Sequence, residues 1–569
     1  MIVFRASCSP FMGTGHLQRC LILARIFRDQ ERTVCIVTDD NDLSRKICNS
    51  FSLTTDYVLS DTLLPNNFLE NINTLILDTP QSVQPFLYNN CNIRKLSELN
   101  EAGINIVTLG HISQNAYFIR TVIDLYPHQA IYAANYLEGP DFLILRPEFS
   151  EDPGHAQNAN EVLVCMGGSD PHDLTAMALD SLHQASFKGK VRAILGPGYS
   201  EINEKNLRQK SSQYAFSVQL ERDVKDMRSR MRQAAFGFSA FGTTAYEMMS
   251  QRLPAMVFTH YTWQSPSAQL FEKLGCCIYL GCAEYEINPV SLTNKVAHFL
   301  SDNEAAAKMS DKGRSIVDGC GAKRIANILE QLEEEKGNQQ LDIVYVLAHP
   351  GDELFGGGGT LLKQIKAGKR VGLIILGEGV SSRKREEDGQ DFIITARKEI
   401  RSSLQTVVDK INLTTWYYYR FEDNRFDRHD LLDLVKVIET IFKRHRPKTI
   451  YTHHPGDLNI DHRRTFEAVI TASRPSANQS INNIYSIEMP SSTDWGTPLQ
   501  KEPFVPNVFV DISDVLEEKM DLLTHYSTEI CEDPHPRSFA GIRDRARQWG
   551  RTIGRQAAEA FVLQRGINE

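Results

Sequence analysis

Ile343-Val344-Tyr345-Val346-Leu347-Ala348-His349-Pro350-Gly351-Asp352-Glu353 decides how the chain is read. Five β-favouring apolar residues form a strand of the kind found in parallel sheets covered by helices. The strand runs into a turn with His349 and Asp352 three positions apart, close enough to bind one metal ion together. Pro350 stiffens the turn between them. A second run, Thr449–His453, leads into His454-Pro455-Gly456-Asp457-Leu458-Asn459-Ile460-Asp461-His462. Sites in open parallel sheets form at the carboxyl edge of the strands, so His462 is expected beside the first turn. Two histidines and one aspartate make a three-ligand set that leaves a position on zinc for water. That is a catalytic rather than a structural arrangement. Asp461 is counted with the catalytic residues because, beside His462, it can orient the groups around the ligands. The competing reading is a pair of polar loop histidines.

Outward from this stretch, short apolar runs alternate with amphipathic segments along the whole chain. Candidate strands are 32–38, 74–78, 104–109, 161–166, 191–195, 255–258, 343–348, 370–376, 414–419, 449–453 and 507–511. Leu17–Phe27 and Leu431–Phe442 carry apolar residues at helical spacing. The fold class is α/β with parallel sheets. With 569 residues the chain exceeds one hydrophobic core. The charge run and Gly-Asn-Gln-Gln stretch of 330–340 read as a linker, and the polar 151–161 as a weaker break. The expected segments are 1–150, 151–335 and 341–569.

Lys and Arg total 62 against 71 Asp and Glu, a net charge of −9 that argues against a general nucleic-acid or anionic-membrane binder. No stretch approaches the ~18 apolar residues that span a bilayer, so no membrane insertion is expected. Met1–Ser7 reads as a first strand rather than a signal peptide. Eleven cysteines without a Cys-x-x-Cys pair read as buried, reduced thiols of a cytoplasmic protein. The arginines at 543, 545, 547, 551 and 555 read as a solvated helix face.

Three turns of residues 1–335 suit an anionic ligand. Gly13-Thr14-Gly15-His16-Leu17-Gln18-Arg19 lies between a strand and a helix, where glycines allow close backbone approach and free amides favour negative charge. A neutral His16 there can take a proton from water. Met166-Gly167-Gly168-Ser169-Asp170-Pro171 looks like a phosphate or sugar cradle. Gly242-Thr243-Thr244-Ala245-Tyr246-Glu247 opens a helix; its hydroxyls can bond phosphate oxygens and Glu247 a ribose diol. The alternative is Thr243 as helix cap with Glu247 as its reciprocal partner.

In this order, and with Leu145-Arg146-Pro147-Glu148-Phe149, these turns resemble the PseG family, UDP-2,4-diacetamido-2,4,6-trideoxy-β-L-altropyranose hydrolases of pseudaminic acid biosynthesis. The resemblance covers about residues 1–330. It implies a GT-B-like pair of Rossmann-type domains, related to MurG, and water attack at the anomeric carbon with UDP leaving and no cofactor. The family's catalytic histidine falls on His16, and the nucleotide turns on Gly168-Ser169 and Gly242–Glu247. Leu109-Gly110-His111-Ile112-Ser113 stands where an acidic pair is expected. The SpsG-type spore-coat proteins share these turns, so the class of nucleotide sugar is better fixed than the sugar.

Residues 341–569 resemble the PIG-L/LmbE family of zinc-dependent N-deacetylases, through the turns above and through Gly357–Thr360, Gly377–Arg383 and Pro534–Ser538. The resemblance implies a Rossmann-like deacetylase domain with zinc held by His349, Asp352 and His462. The family's first motif is usually Ala-His-Pro-Asp-Asp-Glu, and its first acid deprotonates the zinc water. Here that residue is Gly351, which cannot take a proton; Glu353, His453, His454 and Asp457 are the possible substitutes. Arg383, Arg537 and His535 face a substrate or form surface ion pairs.

The expectation is therefore a cytoplasmic bifunctional enzyme of amino-sugar biosynthesis, acting on UDP-sugar and amino-sugar substrates. Its first part would hydrolyse a UDP-diacetamido-trideoxyhexose; its last part would remove an N-acetyl group. The alternatives are a non-catalytic sugar-binding module at the C-terminus, or a UDP-sugar glycosyltransferase at the N-terminus.

Overall fold

A computed structural model describes residues 1–8, 15–50, 57–60, 63–64, 72–78, 90–110, 119–124, 136–154, 161–168, 170–222, 224–285, 287–334, 340–383, 385, 391–475, 480–496 and 502–567. They form mostly parallel α/β sheets divided between two compact units. One unit gathers Met1–Arg5, Thr62–Leu137 and Glu330–Glu569; the other gathers Ala6–Asp61 and Glu138–Leu329.

In the first unit, β1 (Ile2–Ala6), β4 (Thr74–Asp78), β5 (Asn105–Leu109), β6 (Thr121–Asp124) and β7 (Tyr136–Glu138) lie side by side in that order. The same unit holds a seven-stranded sheet built from β14 (Ile343–Leu347), β15 (Val371–Gly377), β16 (Thr415–Phe421), β17 (Thr449–His453), β18 (Asn483–Ile487), β19 (Val508–Asp511) and β20 (Ala558–Gly566). Its order is β16-β15-β14-β17-β18-β20-β19. β14 is wholly buried between parallel β15 and β17, as its unbroken apolar run requires. β20 runs antiparallel to both its neighbours and was not expected from the sequence.

In the second unit, β2 (Val34–Thr38) pairs parallel with β3 (Tyr57–Leu59). The second sheet there is built from β8 (Glu161–Cys165), β9 (Lys190–Leu195), β10 (Ser217–Arg222), β11 (Phe236–Ala240), β12 (Ala255–Thr259) and β13 (Cys277–Cys282), in the order β10-β9-β8-β11-β12-β13. The predicted strand at 74–78 matches β4, and 449–453 matches β17. Of the arginine-rich tail, Arg543, Arg545, Arg547 and Arg551 lie in the helix Phe539–Thr552, and Arg555 follows it. Part of each expected break, 155–160 and 335–339, lies outside the described residues. No described helix is long and apolar enough to cross a membrane.

Two buried arginines join the parts of the first unit. Arg444, at the end of the helix Leu431–His445, donates to the carbonyls of Gly103 and Ile104 and to the side chains of Asn100 and Asn105. Arg120 donates to the Trp416 carbonyl at 2.7 Å and to the Thr415 hydroxyl at 3.1 Å. A guanidinium suits this work because its fixed donors reach several carbonyls at once.

The helix Asp352–Lys366 starts the candidate site and carries Gly356–Gly359. A Cβ at Gly356 would meet Ile487 at 2.6 Å, so the glycine lets the helix lie close against the sheet. The helix breaks at Gly357, and a buried carboxylate repairs the break. Glu559 accepts from the amides of Gly359 at 2.8 Å and Thr360 at 2.7 Å. Buried Lys519 neutralises it from 2.7 Å. Replacing Glu559 with Ala leaves two amides unsatisfied and the Lys519 ammonium without a counter-charge in the core. We expect Glu559→Ala to destabilise the first unit by about 3–5 kcal/mol, read as a lower midpoint for the corresponding transition in urea denaturation.

Candidate functional site

Four adjacent parallel strands, β16, β15, β14 and β17, end at one edge, and the turns that follow three of them supply the site. After β14, the segment 348–351 turns into the helix Asp352–Lys366, with Gly351 at φ 98° as its N-cap. Left-handed backbone of this kind favours glycine. Asp352 and Glu353 fill the first turn of the helix, where negative charge is stabilised. After β17, Asn459 caps the helix Ile460–Ala472, which carries Asp461 and His462 in its first turn.

The three expected ligands come together. One ligand atom from each of His349, Asp352 and His462 lies within 4.8 Å of the other two. Asp352 Oδ2 is 3.6 Å from His349 Nδ1 and 3.5 Å from His462 Nε2. It also accepts the His349 backbone N–H at 2.9 Å, which locks the turn. His462 Nε2 is buried and has no hydrogen-bond partner. The far nitrogen of each histidine is backed by carboxylate: His462 Nδ1 lies 3.2 Å from Asp457, and His349 Nε2 lies 3.0 Å from Asp461 and 3.2 Å from Asp423. This pattern fixes the tautomer and orientation of an imidazole that ligates a metal through its other nitrogen. The donor set, two imidazoles and a carboxylate, suits a divalent ion such as zinc.

The electrostatics follow from these contacts. Burial pushes the His349 pKa down, but Asp352, Asp423 and Asp461 outweigh it and hold it well above the usual value. Burial likewise opposes the charge on His462, and Asp457 and Asp352 raise it to about 9. Asp352 is held well below the carboxylate range, because His462, His349 and His453 outweigh the cost of burial. Metal binding must therefore displace protons from both histidines, which makes affinity fall with acid.

Asp461 is fully buried and accepts from the backbone amides of Asn424 at 2.6 Å and Phe426 at 3.0 Å. It orients His349 rather than its neighbour His462. Asp423 was missed by the sequence reading. It follows β16 at the same edge as the ligands, which is the signal that could have found it. Its carboxylate also accepts from the Ser382 hydroxyl, and His349 and Ser382 lower its pKa to about 2 against burial.

The groups weighed as substitutes for an acid at position 351 are committed elsewhere. Glu353 accepts from Tyr526 Oη at 2.7 Å and from the Gly351 amide at 2.8 Å, and burial pushes it up to about 7. His453 accepts the Ala348 N–H on Nε2 at 2.8 Å and stacks on His462 at 3.8 Å. Burial and the charge of His462 pull it down to about 4. Asp457 accepts from Ser492 and Thr493, both at 2.9 Å, besides holding His462. His454 Nε2 lies 3.0 Å from the Glu502 carbonyl. Arg383 and Arg537 share the buried Glu529, at 2.5 and 3.4 Å.

The second unit carries the other candidate residues. Gly15 and His16 begin the helix Gly15–Asp29, and Arg19 Nη2 lies 3.1 Å from His16 Nδ1. Gly13, Ser169 and 111–113 lie outside the described residues. Gly168 follows β8, and Asp170 accepts from the amides of Leu174 and Thr175 at the start of the next helix, whose N-cap is Asp173. Gly242 caps the helix Thr243–Ser250 without a side-chain bond, so Thr243 is its first residue and not its cap. Thr244 follows in the same turn. Glu247 is not a capping-box partner either: it pairs with Arg146 at 3.2 Å, joining the Arg146–Phe149 motif to the Gly242 turn. Burial raises Glu247 to about 7 although Arg146 pulls it down.

Imidazoles aimed at a shared carboxylate and backed by carboxylates, at the carboxyl edge of a parallel sheet, make a donor set that could hold a divalent ion. Residues 344–473 match the PIG-L family, GlcNAc-PI de-N-acetylase. The chain is 28% identical over 205 residues to the spore coat polysaccharide biosynthesis protein SpsG of Bacillus subtilis, covering 35% of this chain and 59% of that protein. It is 23% identical over 272 residues to the uncharacterised MJ1062 of Methanocaldococcus jannaschii, covering 43% of this chain and 53% of that protein. It thus spans little more than half the length of these two relatives. It is 26% identical over 242 residues to the diacetylchitobiose deacetylase of Thermococcus kodakarensis, covering 41% of this chain and 86% of that protein. Among solved structures, Acinetobacter baumannii MurG aligns at a TM-score of 0.44 and 12% identity over 58% of this chain and 99% of that one. The chain therefore joins a segment that matches the PIG-L model to a part similar to SpsG.

Two outcomes check this geometry. Asp457→Asn should weaken zinc binding by about 10–100-fold, measured by competition with a chromogenic chelator. Raising the Glu247 pKa from 4.5 to about 7 makes its charge a cost to folding. That cost is absent below pH 4.5 and complete above pH 7, so stability is lost as pH rises across this window. Glu247→Gln should remove that fall, up to about 3 kcal/mol between pH 4.5 and 8, in denaturation curves taken at both pH values.

Proposed function

We propose that this chain performs two hydrolytic steps in amino-sugar biosynthesis, with segments 1–150 and 151–335 handling a nucleotide sugar and 341–569 removing an N-acetyl group. The observation that carries the second step is the pair His349 and His462, each with one nitrogen toward Asp352 and the other held by carboxylate. Zinc held by His349, Asp352 and His462 would polarise the acetamide carbonyl and bring the pKa of water toward ~7. Asp457, Asp461 and Asp423 keep the two rings in the tautomers this requires. The match to the PIG-L family supports the reading.

In the first step, water would attack the anomeric carbon of a UDP-linked diacetamido-trideoxyhexose and UDP would leave. His16, in the first turn of its helix with Gly15 and Arg19, would take the proton from water; Gly13 joins this set from the sequence alone. Gly168 and Ser169 with Gly242, Thr243 and Thr244 would cradle the diphosphate, and Glu247 would meet the ribose. The likeness to SpsG supports a sugar-biosynthetic role.

Gly351 favours a second reading of the last segment, as a sugar-binding module without turnover. A missing general base costs ~10²–10⁴-fold in rate. A Cβ at Gly351 would find room, 3.4 Å from Phe355 and 3.7 Å from Tyr526, but on a backbone at φ 98°. Gly351→Asp should therefore cost about 1–3 kcal/mol of stability and still raise acetate release at least tenfold if the remaining machinery is intact. With UDP-sugar and zinc, we expect zinc-independent UDP release, abolished in His16→Asn, and slow zinc-dependent acetate release. UDP without acetate from either parent or Gly351→Asp would leave the binding role.

A further inference from the structure

The turn that bonds Asp457, behind His462, carries an aromatic side chain that the deacetylation reading does not use. Trp495 is 53% exposed. It is nevertheless rigidly mounted. Its amide donates to the Ser491 carbonyl at 2.9 Å, and Ser491 itself adopts φ 75°, a left-handed conformation rare for serine. The Ser491 amide donates to Asp494 at 3.0 Å, and Asp494 is anchored by Arg545. A strained, tightly bonded turn that holds an indole out in water is built to present it.

The turn belongs to the metal centre. Ser492 and Thr493 donate to Asp457, the carboxylate behind His462. Trp495 lies two residues beyond Thr493, within ~7 Å of chain. Opposite the indole stands His535, edge to face with ring centroids 5.2 Å apart and planes at 89°. The Arg537 amide donates to His535 Nδ1 at 3.0 Å, so in the neutral ring Nε2 carries the proton and is the free donor type. Arg537 then shares Glu529 with Arg383, whose neighbour Ser382 bonds Asp423 beside His349. The contacts thus pass around the centre from one histidine to the other, with Trp495 and His535 on the way.

An apolar ring face beside a hydrogen-bond donor is what a pyranose needs, since its C–H face is apolar and its hydroxyls are not. We propose that Trp495 is the platform on which the pyranose ring of an N-acetylated sugar stacks, with His535 donating to a ring hydroxyl. This deepens the deacetylase reading and rests on it for the position of the acetamide group.

The test uses the full-length, zinc-loaded protein and N-acetylglucosamine as probe. Tryptophan fluorescence is titrated in parent, Trp495→Ala and Trp495→Phe, and acetate release is followed in the same three proteins. The chain has four tryptophans, so the Phe variant isolates the signal of this one. Expected are a sugar-dependent change that vanishes in Trp495→Phe, and a KM raised at least tenfold in Trp495→Ala. In that variant kcat should stay within threefold and the thermal midpoint should not change, and Trp495→Phe should recover most of the affinity. A parental KM in Trp495→Ala, a loss confined to kcat, or no sugar-dependent signal overturns the proposal. A saturable Trp495 signal in a parent that releases no acetate keeps the platform and removes the deacetylase reading instead.

Discussion

A histidine can hold a cation only while one ring nitrogen keeps a lone pair directed at it, and that depends on what grips the other nitrogen. In this protein the grip is carboxylate in both cases, Asp457 behind His462 and Asp461 with Asp423 behind His349. Remove those oxygens and the rings are free to turn or to swap tautomers. The rest of the edge serves this constraint. Asn459 starts the helix that carries Asp461 and His462, and the amides of Asn424 and Phe426 aim Asp461 back at His349.

Low dielectric makes the arrangement costly as well as exact in its demands. Asp352, Asp457, Asp461 and His462 are all buried, so each charge survives only because a partner of opposite sign or an N–H faces it. The same logic operates at the broken helix, where Glu559 and Lys519 satisfy one another and two stray amides. It fails in part at Glu247, which one partly exposed arginine does not fully compensate.

Much of this was legible in the chain itself. The unbroken apolar runs at 343–347 and 449–453 give the buried parallel strands, and the polar residues that follow them give the ligands. What was hidden is informative. Asp423 has no motif around it; only the register of β16 beside β15 brings it to the site. Asp461 adjoins His462 in sequence but serves His349, because neighbours in a first helical turn point in different directions. Thr243 and Glu247 matched a capping box by spacing, yet Gly242 takes the cap and a distant arginine claims the acid. β20 escaped because its apolar run follows an arginine-rich helix and pairs with strands made much earlier.

The buried arginines bear on how this chain can be made. Arg444 finds the Gly103 carbonyl 341 positions back along the chain, and Arg120 finds Thr415 across 295. In each pair one partner leaves the ribosome long before the other. Assembly of the first unit must therefore wait for residues 330–569, while the second unit is complete once residue 329 has emerged. Cutting at residue 340 to obtain a stand-alone cassette would strip Arg444 of those carbonyls and bare an apolar, cationic face to solvent.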